Sequence, residues 1–244
     1  MDAVQGRSVV GVIPRLVHRL WFGPRPMPDV YQEFGAGWVR LNPGWRVHDW
    51  GYEDLPVLRN QYLFGRCGVT WGGVAGGGKQ ATARQVQQAD IAAYELVEQF
   101  GGVYVNCDLE PLEPLDGLLD VVAGRAFAVR SPHRRYLSNA VLGGPSGHGF
   151  WSAVVDFLPT MVAASPAKAM NKQTGPALLT EVAARVGVWP DRDSDEFVAV
   201  PDGMFGVAVH RWGHRTPDEV LWPGEVAQPV VEPVWVSKRW DSDE

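Results

Sequence analysis

The chain has 244 residues, of which 45% are apolar and 20% are charged, and its formal net charge is −6. A chain of this length and composition can bury a substantial core in one large domain, which excludes disordered and fibrous proteins. The acidic balance argues against nucleic acid as a partner, and the lack of a long apolar run or signal peptide predicts a cytoplasmic protein without a transmembrane segment.

The first half of the chain predicts strands separated by helices. An apolar, β-branched run at 9–21 predicts a core strand, and a helix-like segment at 29–41 ends in the turn sequence Asn-Pro-Gly. A second strand is expected at 45–50 and a short helix at 52–60. The strongest helix is expected at 80–100, because apolar residues recur there at helical spacing and a Gly-Gly pair stops it.

The second half continues the alternation. A strand at 103–107 follows the long helix directly, and helices are expected at 149–163 and 174–187. Four further short strands are expected at 126–130, 139–143, 197–200 and 206–209. The pattern predicts an α/β layered fold in a single domain over 1–222, followed by a Pro-rich and then acidic tail at 223–244.

The strand at 103–107 ends in Asn106, Cys107 and Asp108. Open α/β folds bind ligands at the carboxyl ends of their strands. Because side chains alternate along a strand, Asn106 and Asp108 are expected on one side and Cys107 on the other. Two oxygen donors in such a place suit Mn²⁺ or Mg²⁺, whose remaining ligands would be substrate phosphates. A solvated polar turn is the simpler alternative, and the spacing alone favours neither.

The surrounding segment, QQADIAAYELVEQFGGVYVNCDLEPLEPLD at 87–116, resembles the sugar-nucleotide-binding region of the DXD glycosyltransferases. The most similar group is glycosyltransferase family 32, with yeast initiating mannosyltransferases, α-1,4-galactosyltransferases and bacterial capsule enzymes. In that group a helix aspartate, a Gly-Gly pair, an aromatic strand and Asp-X-Asp follow one another. Further segments keep the order of the group's motifs: IPRLVHRLWFG (13–23), NPGWRVHDW (42–50), NAVLGGPSGH (139–148), TGP (174–176) and AVHRWGHRT (208–216).

The resemblance implies a GT-A-like, Rossmann-related fold and a metal-dependent transfer of a hexosyl group. The donor would be a nucleoside diphosphate sugar, the acceptor a hydroxyl of a glycan, protein or lipid head group, and the anomeric configuration would be retained. Asp108 would bind Mn²⁺ or Mg²⁺, and Asn106 would lie by the metal, the ribose or the donor sugar. Asp90 would hold sugar hydroxyls, and Trp21 would lie near the base. His210, or alternatively Trp212, would close over the diphosphate, with His210 as a further metal ligand.

Two positions depart from the pattern of the group. Asn106 stands where the group has the first aspartate of its motif, so one negative charge is missing. Ala93 stands where the group has an arginine three residues after the helix aspartate, and Arg84 or Lys79 could supply a cation to the diphosphate instead. These departures leave an alternative open: a non-catalytic sugar-nucleotide or glycan-binding protein that kept the fold.

Features outside the motif are interpreted structurally. GVAGGGKQ at 73–80 has the spacing of a phosphate-binding loop, but Gln80 replaces the serine or threonine that such a loop needs. A glycine-rich lid over the donor site is the remaining expectation. His18 is expected to be a hydrogen-bonded core histidine. Cys67 and Cys107 are expected to be free thiols, since two cysteines make neither a disulfide framework nor a zinc site.

Overall fold

The computed structural model of the protein describes residues 11–67, 78–130, 136–164, 170–188, 194–200 and 208–210. The tail at 223–244 lies outside these ranges, as do positions 73–77 of the glycine-rich segment. In chain order the elements are β1 (Leu16–Leu20), α1 (Asp29–Leu41), β2 (Arg46–Trp50), α2 (Gln61–Arg66), α3 (Gly78–Phe100), β3 (Gly102–Val105), β4 (Leu109–Pro111), α4 (Asp116–Val122), β5 (Ala126–Arg130), β6 (Leu137–Gly144), α5 (Gly149–Ala164), α6 (Met170–Gln173), α7 (Pro176–Arg185), β7 (Phe197–Val200) and β8 (Ala208–His210).

A six-stranded mixed sheet organises the chain, in the order β2-β1-β3-β6-β5-β7. β1 runs parallel to β2 and β3, and β5 runs parallel to β7. β6 is antiparallel to both of its neighbours, β3 and β5. The carboxyl end of β3 therefore lies beside the amino-terminal half of β6. A separate pair, β4 and β8, forms a small antiparallel sheet.

Helices cover both faces of the large sheet, and each face has its own apolar core. One core includes Tyr94 of α3 and Trp151 of α5, and the other includes Trp38 of α1 and Leu118 of α4. Neighbouring β3 side chains divide between the two cores, since strand side chains alternate between faces. This helix–sheet–helix layering confirms the α/β prediction.

The turn between α3 and β3 depends on two glycines. Gly101 ends the helix by donating its N–H to the Val97 carbonyl at 2.9 Å. Gly101 and Gly102 have φ of +65° and +94°, a region that favours glycine. A Cβ at Gly102 would also lie 2.4 Å from the Leu16 carbonyl oxygen. The Gly-Gly pair thus lets the longest helix reverse directly into a central strand.

His18 of β1 stabilises this turn by a hydrogen bond to Gly101, as expected of a hydrogen-bonded core histidine. The indole N–H of Trp50 donates to His18 Nδ1 at 3.1 Å, so Nε2 carries the ring proton and donates to the Gly101 carbonyl at 2.8 Å. Burial lowers the pKa of His18 to about 4, with the Gly101 bond opposing that shift. The histidine is therefore neutral at physiological pH.

Most predicted elements are confirmed, and the exceptions have local causes. The helix expected at 52–60 is absent, because that segment forms turns and extended chain around Pro56, and α2 begins only at Gln61. The helix expected at 174–187 is confirmed as α7, which starts at Pro176 and ends at Arg185, and the short helix α6 precedes it. Both cysteines are free, as expected, and the structure shows that both are buried. Within the described ranges no helix is long and apolar enough to cross a membrane.

Candidate functional site

The geometry of α3 and β3 brings two distant parts of the chain to one level. Asp90 lies 12 residues before Gly102, a helical rise of roughly 18 Å. Asn106 lies four residues after Gly102, an extended rise of roughly 13 Å. Because the Gly-Gly turn reverses the chain, Asp90 returns to the level at which β3 ends. The helix aspartate and the strand-end motif therefore face the same end of the sheet.

Asp90 is held by two side chains from the other elements that converge there. Asn139 of β6 donates its amide to Oδ1 at 2.7 Å, and the Thr174 hydroxyl donates to Oδ2 at 2.8 Å. Burial raises the pKa of Asp90 to about 7, and the two hydrogen bonds oppose the rise. Each carboxylate oxygen keeps a further lone pair. Asp90 can therefore accept hydrogen bonds from a ligand without giving up its own partners.

Asn106 is fixed in a similar way. Its backbone N–H donates to the Ala140 carbonyl at 2.9 Å, which continues the pairing of β3 with β6. Its side-chain oxygen accepts a hydrogen bond from the Tyr104 hydroxyl at 2.9 Å. Burial, together with the nearby Cys107, Asp90 and Asp108, raises the pKa of Tyr104 well above its usual value. We refer to Asp90, Asn139, Thr174, Asn106 and Tyr104 as the polar cluster.

Asp108 lies in the turn between β3 and β4, partly buried, two residues beyond Asn106. Cys107 packs inward, and its thiol donates to the Leu20 carbonyl at 3.2 Å. Pairing of β4 with β8 sets Leu109 opposite His210, so the backbone of His210 lies one residue away from Asp108 in register. Cys107 thus points into the protein, while Asn106 and Asp108 are both partly exposed.

Trp21 lies at the same end of the sheet, directly after β1. Its indole N–H donates to the Arg25 carbonyl at 2.8 Å, and its ring meets Tyr31 edge-on at 6.0 Å. A Cβ at Gly23 would lie 2.6 Å from the Trp21 ring, so glycine permits this close packing. Since Cys107 binds the carbonyl of Leu20, Trp21 is placed beside the turn that holds Asp108.

A buried cation lies behind Trp21. Arg19 of β1 is fully buried and forms an ion pair with Asp49 at 2.9 Å, while its guanidinium also donates to the Tyr31 carbonyl. Its Nε has no hydrogen-bond partner among the described residues. Arg19 and Asp49 therefore brace the neighbouring strands β1 and β2 under the site.

Arg84 is exposed on α3, about a third of a turn around the helix from Asp90. Burial is the largest effect on the pKa of Tyr52 and of Cys67 and raises both, while the charge of Arg84 lowers both and the charge of Asp90 raises the pKa of Cys67. The described part of the chain records no contact between Arg84 and Asp90. Ala93, where the family pattern has arginine, is 1% exposed within the apolar core. A charged side chain at this position would be buried among apolar residues.

Several residues of the cluster were not assigned roles from the sequence. Asn139 lies in NAVLGGPSGH and Thr174 in TGP, two segments whose order along the chain was the only signal. Tyr104 matches the aromatic residue of the strand motif, but its hydrogen-bond partner is not visible from the sequence. Their roles depend on contacts that only the fold creates.

The residues available as metal ligands fit a divalent cation only in part. Asp108 supplies a partly exposed carboxylate beside a strand pair that carries His210, and both residue types bind Mn²⁺. No group of three or more His, Cys, Asp or Glu side chains converges within the described ranges. Asp108 is thus the position around which a metal and substrate phosphates could assemble, with Asp90 placed for hydroxyl groups.

Comparisons with known proteins find glycosyltransferases among the proteins that this chain resembles. No protein-family model matches the chain. The chain is 24% identical over 155 residues to inositol phosphoceramide mannosyltransferase 3 of Schizosaccharomyces pombe. The aligned region covers 60% of this chain but only 37% of that relative. The PaToxG glycosyltransferase superposes with a TM-score of 0.55 at 11% identity, covering 72% of this chain and 70% of that one. The UDP-bound glycosyltransferase domain of the YGT toxin gives a TM-score of 0.47 at 12% identity, covering 72% and 78%. The chain has the α/β fold of GT-A glycosyltransferase domains.

Proposed function

We propose that this protein is a glycosyltransferase that moves a hexosyl group from a nucleoside diphosphate sugar to an acceptor hydroxyl, with retention of configuration. The observation that carries the proposal is the hydrogen-bonded Asp90 at the same end of the sheet as Asn106 and Asp108. The GT-A fold and the similarity to a mannosyltransferase support it independently. The acceptor is a glycan, a protein or a lipid head group, reached in the cytoplasm.

Each residue has a role that follows from its chemistry. Asp90, oriented by Asn139 and Thr174, accepts hydrogen bonds from hydroxyls of the donor sugar. Trp21 offers an indole face to the nucleotide base. Such positioning supplies a large part of the rate enhancement in transfer reactions, because the reacting groups no longer have to be ordered.

Asp108 and His210 would hold Mn²⁺ or Mg²⁺, which when bound stabilises negative charge on the departing diphosphate. Arg84, which lies close enough to Cys67 to act on its titration, supplies a cation to the diphosphate. In a front-face reaction the bond from the anomeric carbon to the diphosphate oxygen breaks as the bond to the acceptor oxygen forms. The acceptor proton then passes to the departing diphosphate.

The test is donor hydrolysis and transfer across UDP-, GDP- and dTDP-sugars, in MnCl₂, MgCl₂ or EDTA. We expect slow hydrolysis of one donor, reduced by about 100-fold or more in Asp108→Ala, since that variant loses charge stabilisation at the leaving group. Asp120→Ala, which removes an exposed carboxylate from α4, is the matched control and should keep full turnover. Equal hydrolysis by wild type and Asp108→Ala would contradict the assignment.

A second candidate function is a non-catalytic sugar-nucleotide-binding protein. Two observations favour it: Ala93 is packed into the core, and the side-chain oxygen of Asn106 is already engaged by Tyr104. The family pattern places an arginine and an aspartate at these two positions, close to the donor. This chain lacks both of those charges. Tight donor binding without hydrolysis or transfer to any acceptor in a glycan, protein and lipid screen would select this candidate.

A further inference from the structure

The side chain of Asn106 has a defined orientation. Tyr104, which donates its hydroxyl hydrogen bond to Asn106 Oδ1, is 5% exposed and is held in β3 opposite Leu142 of β6 and His18 of β1. The Asn106 backbone is fixed in turn by Ala140. Both residues of the Tyr104–Asn106 bond thus have their backbones held by the central strands.

This orientation decides what Asn106 can offer to a ligand. A carboxamide has one acceptor oxygen and one donor nitrogen, on opposite branches of the same group. Because the Tyr104 hydroxyl donates to the Asn106 oxygen, the amide nitrogen of Asn106 points away from Tyr104. No acceptor for this nitrogen is recorded in the described part of the chain, and Asn106 is partly exposed. The amide nitrogen is therefore the group left free to donate, while the oxygen keeps one lone pair beside the Tyr104 hydroxyl.

We propose that Tyr104 holds Asn106 with its amide nitrogen toward the donor substrate, so that Asn106 donates a hydrogen bond to an oxygen of its nucleoside diphosphate part and does not coordinate a metal ion. The inference rests on the proposed function, because it assumes that such a donor binds at the polar cluster. The resemblance places Asn106 by the metal, the ribose or the donor sugar, and the inference selects the substrate over the metal. Tyr104 is a positioning residue that acts through Asn106.

The charge balance of the site supports this role. The chain carries a net charge of −6, and Asp90 and Asp108 both lie close enough to Tyr104 to influence its titration. A further carboxylate at position 106 would add negative charge beside a diphosphate. An N–H group instead meets the acceptor-rich oxygens of a diphosphate or sugar, and hydrogen bonds to charged oxygens are stronger than neutral ones.

The decisive measurement is the dissociation constant of UDP and of GDP, by calorimetry, in MnCl₂ and in EDTA. We expect Asn106→Ala to weaken the binding by about ten-fold, and by the same factor in both buffers, because a lost hydrogen bond does not depend on metal. Tyr104→Phe should weaken binding less, since the amide remains but is no longer oriented. The double variant should bind no more weakly than Asn106→Ala alone.

Two further variants sharpen the result. Asn106→Asp keeps the shape but replaces the donor nitrogen by an anionic oxygen, so binding in EDTA should be weaker than in Asn106→Ala, and MnCl₂ should restore part of it. Ser152→Ala removes a hydroxyl hydrogen bond to Glu98 in another part of the fold and should leave binding unchanged. Thermal unfolding of each variant shows that the folded protein was compared.

A second readout covers binding that requires metal. The affinity of the nucleotide-saturated protein for Mn²⁺, from the electron paramagnetic resonance signal of the free ion, should be unchanged in Asn106→Ala. A reduced Mn²⁺ affinity, or a loss of nucleotide binding confined to MnCl₂, would identify Asn106 as a ligand and overturn the inference. Additive losses in the double variant would overturn the role of Tyr104.

The outcomes separate this inference from the proposed function. Nucleotide binding by the wild type that Asn106→Ala leaves unchanged would overturn the inference alone. A wild-type protein that binds neither UDP nor GDP in either buffer would overturn both.

Discussion

At the scale of single residues, two buried titratable groups affect stability in opposite directions. Burial raises the pKa of Asp90 from 3.8 to about 7, so the folded protein holds that proton more tightly than the unfolded chain does. Stability therefore falls as the pH rises from about 4 to 7. Burial lowers the pKa of His18 from 6.5 to about 4, so stability falls as the pH drops through that range. Between pH 4 and 6.5 the two effects oppose each other.

Replacing one group should expose the effect of the other. We expect Asp90→Asn to raise the free energy of unfolding at pH 8 by about 1–3 kcal/mol more than at pH 4, because the cost of ionising a buried carboxylate is removed. The variant should lose stability more steeply than the wild type on acidification, through His18. Urea unfolding at a series of pH values measures both effects, and parallel stability profiles would contradict this account.

The roles of single residues were predictable only where they are local in sequence. The strand-end motif and the helix aspartate are recognisable because Asn106, Asp108 and Asp90 lie in one continuous segment. The partners of Asp90 are 49 and 84 residues away along the chain, and nothing in the spacing announces those contacts. The Tyr104–Asn106 bond spans two residues, yet its meaning depends on which face of β3 is buried.

At the scale of elements, prediction succeeded where a pattern is self-contained. The strands at 126–130 and 197–200 and the helix at 29–41 have the bounds expected from their apolar patterns. The three-residue strand β4 was missed, because it exists only through pairing with β8 about a hundred residues later. The expected helix at 52–60 failed because composition alone did not weigh Pro56 against helix formation.

The packing of α1 against β1 offers a test at this scale. A Cβ at Gly35 would lie 1.8 Å from the Arg19 guanidinium, which is buried and paired with Asp49. Gly35→Ala should therefore destabilise the fold by about 2 kcal/mol or more, although alanine is the better helix former, because a buried charge loses its partner.

Gly65 in α2 is the matched control for this prediction. A Cβ there meets nothing within 4 Å. Gly65→Ala should stabilise the protein by about 0.5–1 kcal/mol through helix propensity alone. Thermal and urea unfolding compare the two variants, and similar effects of both substitutions would show that Arg19 is not confined against α1.

At the scale of the whole molecule, the sheet couples the two apolar cores. Leu158 of α5 belongs to the core on one face, and Leu118 of α4 to the core on the other. Both cores contain side chains from the same central strands, since β3 contributes to each. A sheet with one face exposed would lose much of its buried apolar area, so the two faces should unfold together.

We therefore expect Leu158→Ala and Leu118→Ala each to lower the free energy of unfolding by about 2–5 kcal/mol within a single cooperative transition. Val57→Ala, at a side chain 86% exposed, should change it by less than about 0.5 kcal/mol. Calorimetry and far-UV circular dichroism should report the same midpoint. Two separate transitions in either core variant would show that the faces unfold independently.

The two buried cysteines can report local opening of the folded protein. Burial, the largest cause in each case, raises the pKa of Cys67 and of Cys107 to about 12, so almost no reactive thiolate exists at neutral pH. They are the only cysteines in the chain. Alkylating reagents can therefore react only when the structure opens locally. The alkylation rate of each thiol, followed by mass spectrometry, then reports how often its part of the molecule opens. Because Cys67 and Cys107 lie at opposite ends of the segment that carries Asp90, a bound ligand would be registered as slower labelling without any measurement of turnover.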